Sequence, residues 1–228
     1  MSGEQHHGGA GTCRIDLHSH TYRSGDSVTG IASFVEAFAS SGLDMIAVTD
    51  HGTTLGAREI AARLGPRCII GQETRTDLGE VIGLYLEESL PRLGRFVDVA
   101  AAIRAQGGLV YVPHPGDSAR HSIQIAELMA IAGEGLVDII EVGNGKRASE
   151  ATYYGLCDLA DQLGIAKACA SDAHVPAAIG TSYVELATHP MTPHSLLDKL
   201  KDARLSWNHV DPPRFWSPQV LPPSPEGH

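Results

Sequence analysis

Six short apolar runs, separated by stretches of helical periodicity, restrict the fold of this chain more than any other feature. The runs are DMIAV (44–48), CII (68–70), VIGLYL (81–86), LVYV (109–112), VDIIEV (137–142) and IAKACA (165–170). Each predicts a strand, several of them buried on both faces. Between most of them, apolar residues fall at i, i+3, i+4 and i+7. The four sets are Ile31, Phe34, Val35 and Phe38; Phe96, Val99, Ala100 and Ile103; Ile125, Leu128, Met129 and Ala132; and Leu156, Leu159, Ala160 and Leu163. Each set predicts an amphipathic helix, and Gly42, the pair Gly107–Gly108 and Gly164 supply helix stops. Strand–helix alternation implies an α/β fold of parallel strands with covering helices, either an open doubly wound sheet or a closed barrel. No GxGxxG follows the first strand, which removes the commonest dinucleotide-binding arrangement. One α/β domain over residues 13–210 is the simplest account. A Gly-rich polar tail (1–12) and a tail over 211–228 that holds six of the thirteen prolines are expected to flank it.

Charge and cysteine usage narrow the class further. The formal net charge is -10, from 17 basic and 27 acidic residues. A nucleic-acid footprint needs a clustered basic face, so no nucleic-acid partner is expected. The four cysteines show no CxxC spacing and read as reduced thiols. The opening MSGEQHHGGAGT has no apolar core of a signal peptide. No apolar stretch approaches the roughly 20 residues of a membrane span. A cytoplasmic location without membrane contact is expected; the oligomeric state is left open.

The polar residues gather where the strands end. CRIDLHSH (13–20) reads as a strand on which Asp16, His18 and His20 share a face, because side chains alternate with period two. MIAVTDH ends in Asp50 and His51, CIIGQE in Glu73, and LVYVPHP carries His114. DIIEVGN gives Glu141 and Asn144, and ACASDAH gives Asp172 and His174. In α/β folds the carboxyl ends of the strands form the site. A single His after a strand is usually a satisfied polar residue, and Asp50 alone would read as a helix cap. Five of the twelve histidines stand at strand ends, which random placement does not produce. Imidazoles mixed with carboxylates suit Zn, Mn or Fe ions. Nine or so ligands exceed what one ion takes, so two or three divalent ions are expected.

DLHSHT, DMIAVTDHG, GQETRTDLGEVIGLYL, GGLVYVPHPGD, VDIIEVGNGK and ASDAH, in this order, resemble the PHP (polymerase and histidinol phosphatase) family over residues 15–187. The combination is specific, where a lone HxH is not. The resemblance implies a distorted seven-stranded, TIM-like β/α barrel with a trinuclear metal centre at its rim, and phosphoester hydrolysis as the usual chemistry. Carried over, His18, His20, Glu73 and Asp172 hold a first ion. Glu73 bridges to a second ion shared with His114, and Asp26, His51 and His174 hold a third. Asp26 stands where some members have histidine. The second ion lacks a ligand that relatives supply beside the fourth strand, and Glu80 is the candidate here. The catalytic set expected from this is His18, His20, Glu73, His114, Asp172 and His174.

Metal binding lowers the pKa of water from about 15.7 toward about 7, so no protein nucleophile is required. No GxSxG or CxxxxxR motif offers one. Arg23, Arg75, Arg120, Lys146 and Arg147 follow the ligand strands and are candidate phosphate grips. Likeness to relatives favours Arg120 and Arg147, with Lys146 next. The general acid stays open between His174, Asp50 and a metal-bound water. The leading expectation is a phosphatase that hydrolyses a small phosphorylated metabolite, nucleotide-like or a biosynthetic intermediate, with metal-activated hydroxide. The alternatives are a phosphodiesterase or 3′–5′ exonuclease, a C–N hydrolase, and a non-catalytic metal-binding protein of the same fold. The C–N hydrolase ranks low because Glu73 stands where those enzymes usually carry a carboxylated lysine.

Overall fold

Period-two alternation along the strands sorts the interior into two layers. The computed structural model describes residues 12–146 and 149–209. The expected tails, 1–12 and 211–228, lie outside the described residues apart from Thr12. In chain order the elements are β1 (Cys13–Asp16), α1 (Ile31–Ser41), β2 (Met45–Val48), α2 (Leu55–Leu64), β3 (Cys68–Arg75), β4 (Glu80–Leu84), α3 (Phe96–Ala105), β5 (Leu109–Val112), α4 (Ile125–Gly133), β6 (Ile139–Asn144), α5 (Glu150–Leu163), β7 (Ala166–Ala170), β8 (Tyr183–Leu186), α6 (Pro193–Leu200) and β9 (Arg204–Ser206). One cluster joins Ile15, Met45, Ala47, Ile82, Leu84 and Tyr111 with Leu196 and Leu200 of α6, and fills the sheet's inner side. The alternate residues face the helices: Ile46 and Val48 pack with Phe34, Phe38 and Ile60, and Val110, Val112, Ile140 and Val142 with Phe96, Ile103 and Leu156.

Among the described residues the strands form one sheet in the order β7-β6-β5-β4-β3-β2-β1-β8-β9. Pairing is parallel across β1–β2–β3 and across β5–β6–β7. The expectation of uniformly parallel strands fails at β4, which is antiparallel to both β3 and β5. The reason is the link before it. Thr76–Gly79 is a tight turn, closed by Thr76 N–H donating to Gly79 O at 2.9 Å. A parallel crossover needs roughly a dozen residues. Reversal puts the first residue of β4, Glu80, at the same rim as the last residues of its neighbours.

The sheet curls until its β7 side meets β1. Asp172 N donates to His18 O at 2.9 Å and His20 N to Ala173 O at 3.0 Å, around a parallel bridge between Ser19 and Ala173. β1 to β7 thus form the expected distorted, nearly closed barrel. β8 and β9 add an antiparallel flange on the far side of β1. All four cysteines are free thiols, and burial pushes Cys13 and Cys68 up to about 12. No helix among the described residues is long and apolar enough to cross a membrane.

The β3–β4 turn depends on Gly79. Its φ is 145°, and a Cβ there would stand 2.4 Å from Ile123 N. Gly79→Ala is expected to lower unfolding stability by about 2–4 kcal/mol, from a glycine-only backbone conformation plus a backbone clash. Urea denaturation measures this, and an unchanged midpoint would contradict it.

Candidate metal centre

The ladder of β1 stops at Asp16, and the next four residues stay extended along the 171–174 segment. Alternation still turns His18 and His20 to one side, and both are fully buried. Asp16 does not join them. Its carboxylate accepts from Ser171 N at 3.0 Å, from the Ser171 hydroxyl and from Gly180 N at 3.2 Å, stitching β1 to the end of β7. Burial raises it to about 6 against these bonds. Asp50 is likewise withdrawn. It accepts from Thr21 N at 2.6 Å and Thr21 Oγ1 at 2.7 Å, and the N-cap position of α2 falls on Thr54, whose side chain makes no capping bond.

The other expected ligands meet. His18 Nε2 lies 3.0 Å from His20 Nε2, 3.3 Å from Glu73 Oε2 and 3.5 Å from Asp172 Oδ1. His20 Nε2 lies 3.4 Å from Glu73 Oε2 and 3.3 Å from Asp172 Oδ1. His114 Nε2 is 3.3 Å from Glu73 Oε1 and 3.9 Å from Glu80 Oε2. Asp26 Oδ2 is 3.2 Å from both His51 Nε2 and His174 Nε2, and His51 Nδ1 is 3.3 Å from Glu73 Oε2. Ligand atoms of His20, Asp26, His51 and His174 lie within 4.8 Å of one another. So do those of His18, His20 and Glu73, of His18, His114 and Asp172, and of His51, Glu73 and Glu80.

Three of these imidazoles are aimed by a protein oxygen on the opposite nitrogen, which is how metal-ligating histidines are held. His18 Nδ1 pairs with Glu141 Oε2 at 2.9 Å, His20 Nδ1 with Ser24 Oγ at 2.8 Å, and His114 Nδ1 with Ser122 Oγ at 2.8 Å. Glu141 is itself braced by the Tyr111 hydroxyl at 2.6 Å, by His114 N at 3.2 Å and by Asn144 Nδ2. Ser24, Ser122 and Tyr111 were invisible as functional residues in the sequence. The available signal was a tyrosine inside a fully buried strand, whose hydroxyl must find a partner. His114 (φ 32°) and Asp172 (φ 51°) have left-handed backbone, a strain that collects at functional sites.

Electrostatics follow from this crowding. Burial alone would raise Glu73, but the neighbouring imidazoles of His18, His51 and His114 hold it well below the carboxylate range. Burial opposes charge on His18 too, yet Asp172, Glu73 and Glu141 raise it well above normal. His20 is driven down by burial and by His174. Asp172 is held well below normal, against burial, by Lys146 and His18. Glu73 Oε1 and Asp26 Oδ1 are buried with no hydrogen-bond partner among the described residues. Orphaned carboxylate oxygens facing imidazole nitrogens are a donor set that fits divalent cations of the Zn, Mn or Fe type.

A cleft of about 330 Å³ opens over the cluster, with Arg75, Arg120, His121 and Lys146 on its wall. Arg120 donates to Asp172 Oδ2 at 2.7 Å and to Asn144 Oδ1 at 3.2 Å. Lys146 Nζ is 3.2 Å from Asp172 Oδ1 and 2.7 Å from His174 Nδ1. Arg75 Nε donates to Glu80 Oε1 at 3.1 Å. Arg23 is not brought to the cleft: its Nε donates to Glu59 at 2.9 Å and its guanidinium covers the Tyr22 ring. Arg147 lies outside the described residues.

The family model described as the PHP domain matches residues 16–140 of this chain. The chain belongs to the PHP family. A PHP-associated model matches residues 157–205 as well. Among curated proteins, the PHP chain is 33% identical over 115 residues to the uncharacterized protein MJ1587 of Methanocaldococcus jannaschii, covering 45% of this chain and 67% of that one. Of solved structures, a two-domain Bacteroides vulgatus protein, described as containing a predicted PHP-like metal-dependent phosphoesterase, superposes with a TM-score of 0.71 at 20% identity. The match covers 86% of this PHP chain and 65% of that longer one. An amidohydrolase from Chromobacterium violaceum, solved with bound sulfate and no metal, gives a TM-score of 0.60 at 17% identity, covering 84% and 97% of the two chains.

His51 is raised to about 9: burial lowers it, but Glu73 and the hydrogen-bonded Asp26 raise it further. Burial raises Asp50 to about 7 despite its bonds from Thr21. Both shifts favour the protonated folded form. The His51 contribution is complete below its ordinary 6.5 and is lost as pH rises through about 9. That of Asp50 is complete below 3.8 and is lost through about 7. Thermal melts of chelator-treated protein should therefore show stability falling between these limits. His51→Asn should flatten the upper part of the slope, and an unchanged slope in that variant would refute the assignment.

Proposed function

We propose that this PHP protein is a metal-dependent phosphatase acting on the phosphate monoester of a small metabolite, nucleotide-like or a biosynthetic intermediate. The observation that carries the reading is the convergence of four imidazoles on Glu73, whose Oε1 has no hydrogen-bond partner among the described residues. His18, His20, Glu73 and Asp172 would hold one ion. Glu73, His114 and Glu80 would hold a second, and Asp26, His51 and His174 a third, for two or three divalent ions in all. Bound there, such cations supply a nucleophilic water near neutral pH and neutralise charge on phosphoryl oxygens.

The chain's own residues supply aim and grip. Glu141, Ser24 and Ser122 hold the imidazoles in one orientation, so the candidate ligand nitrogens point inward together. Arg120 and Lys146 reach the cleft edge beside Asp172 and offer donors to a phosphoryl group. A cleft of about 330 Å³ matches the lower end of small-molecule sites, about 300–1,000 Å³. That volume and the net charge of -10 support a metabolite over a nucleic acid as substrate. The Bacteroides vulgatus protein, described as containing a predicted PHP-like metal-dependent phosphoesterase, supports the reaction class.

Glu73→Ala is expected to empty two ion sites and cut phosphate release from p-nitrophenyl phosphate by roughly a thousandfold, while the fold survives. His114→Ala should chiefly weaken the second ion. Metal analysis, circular dichroism and a phosphometabolite panel read these effects together. Near-normal turnover in Glu73→Ala would overturn the site assignment. A metal-loaded wild type inert on the whole panel would instead favour a non-catalytic role.

A further inference from the structure

The turn that carries Lys146 into the cleft follows an irregular stretch of β6 and is tied to the end of β7 by Gly145 N donating to Ala170 O at 2.9 Å. β6 shifts register against β7 between Glu141 and Gly143. Two of the next positions are glycines whose backbone is pressed close: a Cβ on Gly143 would lie 2.6 Å from Cys169 Sγ and 3.0 Å from Trp207 Cγ, and one on Gly145 2.6 Å from Ser171 O. Glycine supplies no side chain to anchor a turn and the most backbone freedom to be restrained. Yet the side chains on this turn are placed closely. Asn144 Oδ1 accepts from Arg120 at 3.2 Å and from Lys146 N at 2.9 Å, Asn144 Nδ2 reaches Asp172 Oδ2 at 3.3 Å, and Lys146 Nζ meets Asp172 and His174.

A second restraint comes from behind, beyond the last strand. Trp207 Nε1 donates to Asn144 O at 3.0 Å, and its ring stacks on Tyr153 of α5 at 5.1 Å and 6°. His209 Nδ1 lies 3.1 Å from Gly145 O. Asn208, between them, ties the segment to the start of β8: its N–H donates to Ser182 Oγ at 3.0 Å and its Nδ2 to Thr181 O at 2.9 Å. Residues 207–209 are therefore a strap from the β8 side of the barrel to the β6 turn. The small Gly143 is what lets the indole lie against the strand.

We propose that Trp207 is a positioning residue of the cleft: it fixes the Asn144–Lys146 turn, and so the cationic grip on the substrate's phosphate, without touching the substrate. The phosphate part rests on the function proposed above; the bracing of the turn does not. The test uses the full metal-loaded chain with Trp207→Phe, which keeps the stack on Tyr153 and loses the donor, and Trp207→Ala, which loses both. The probe is inorganic phosphate, and amide exchange at Gly145 and Lys146 is followed in parallel. Loss of one such hydrogen bond should weaken phosphate binding about five-fold in the Phe variant, and more in the Ala variant. Exchange at both amides should quicken, with metal content unchanged. Unaltered phosphate binding and unaltered exchange in both variants would overturn the proposal, and so would a loss of metal in step with phosphate. If wild type itself binds no phosphate, the functional reading fails and the brace is judged on exchange alone: faster exchange in Trp207→Ala upholds it, unchanged exchange refutes it.

Discussion

Glu73 keeps a negative charge at a point where it is 1% exposed. Burying a carboxylate costs several kcal/mol unless opposite charge and hydrogen bonds surround it. Here ring nitrogens of His18, His20, His51 and His114 stand 3.3–3.4 Å away, contributed by segments that follow three different strands. These distances are longer than the roughly 2.7–2.9 Å of a tight charge-assisted hydrogen bond. One oxygen of Glu73 is left with no hydrogen-bond partner among the described residues. Imidazoles and carboxylates held slightly apart, with acceptors unused, are a poor solution for protein alone and a good one for cations between them.

Two features of the barrel make that convergence available. The first is the reversal of β4, which follows from a connection too short for a crossover helix and delivers Glu80 to the mouth from the opposite chain direction. The second is the seam between the ends of β1 and β7. Asp16 receives donors from Ser171 and Gly180, and backbone bonds run between 18–20 and 172–173. With the seam closed, HSH and SDAH face each other across it. Asp16, which reads in sequence as sharing a face with His18 and His20, is thus the fastener that aligns the two histidine-bearing segments.

Legibility in the sequence tracked how far a residue's role depends on period. The six apolar runs and four helical stripes became six strands and four helices because alternation and 3.6-residue spacing are local. α2 escaped notice because its buried face is built from Gly56, Ala57, Ile60 and Leu64, where small residues thin the stripe. β8 and β9 run for only four and three residues, too short to show a period against the surrounding loops. Ligand types were legible because imidazoles at strand ends are rare. Their braces were not, because a serine such as Ser24 or Ser122 carries no pattern, and its partner is known only once the chain is folded. Arg23 shows the same limit in reverse. It follows HSH by three residues, but the short helical turn at Tyr22–Ser24 sends it to Glu59 and away from the cleft.

Asp172 joins the two halves of the site. Its Oδ1 faces His18, His20 and Lys146, while its Oδ2 accepts from Arg120. The carboxylate stays ionised because Lys146 and His18 outweigh its burial. One charge therefore orders the imidazoles of the cluster and the cationic side chains above it. In a site so poorly solvated, a charge change on one side is felt on the other, since Coulomb interactions between groups a few ångströms apart are weakly screened. Arg120 and Lys146, which follow the candidate ligand strands in sequence, share this carboxylate with the imidazoles in space.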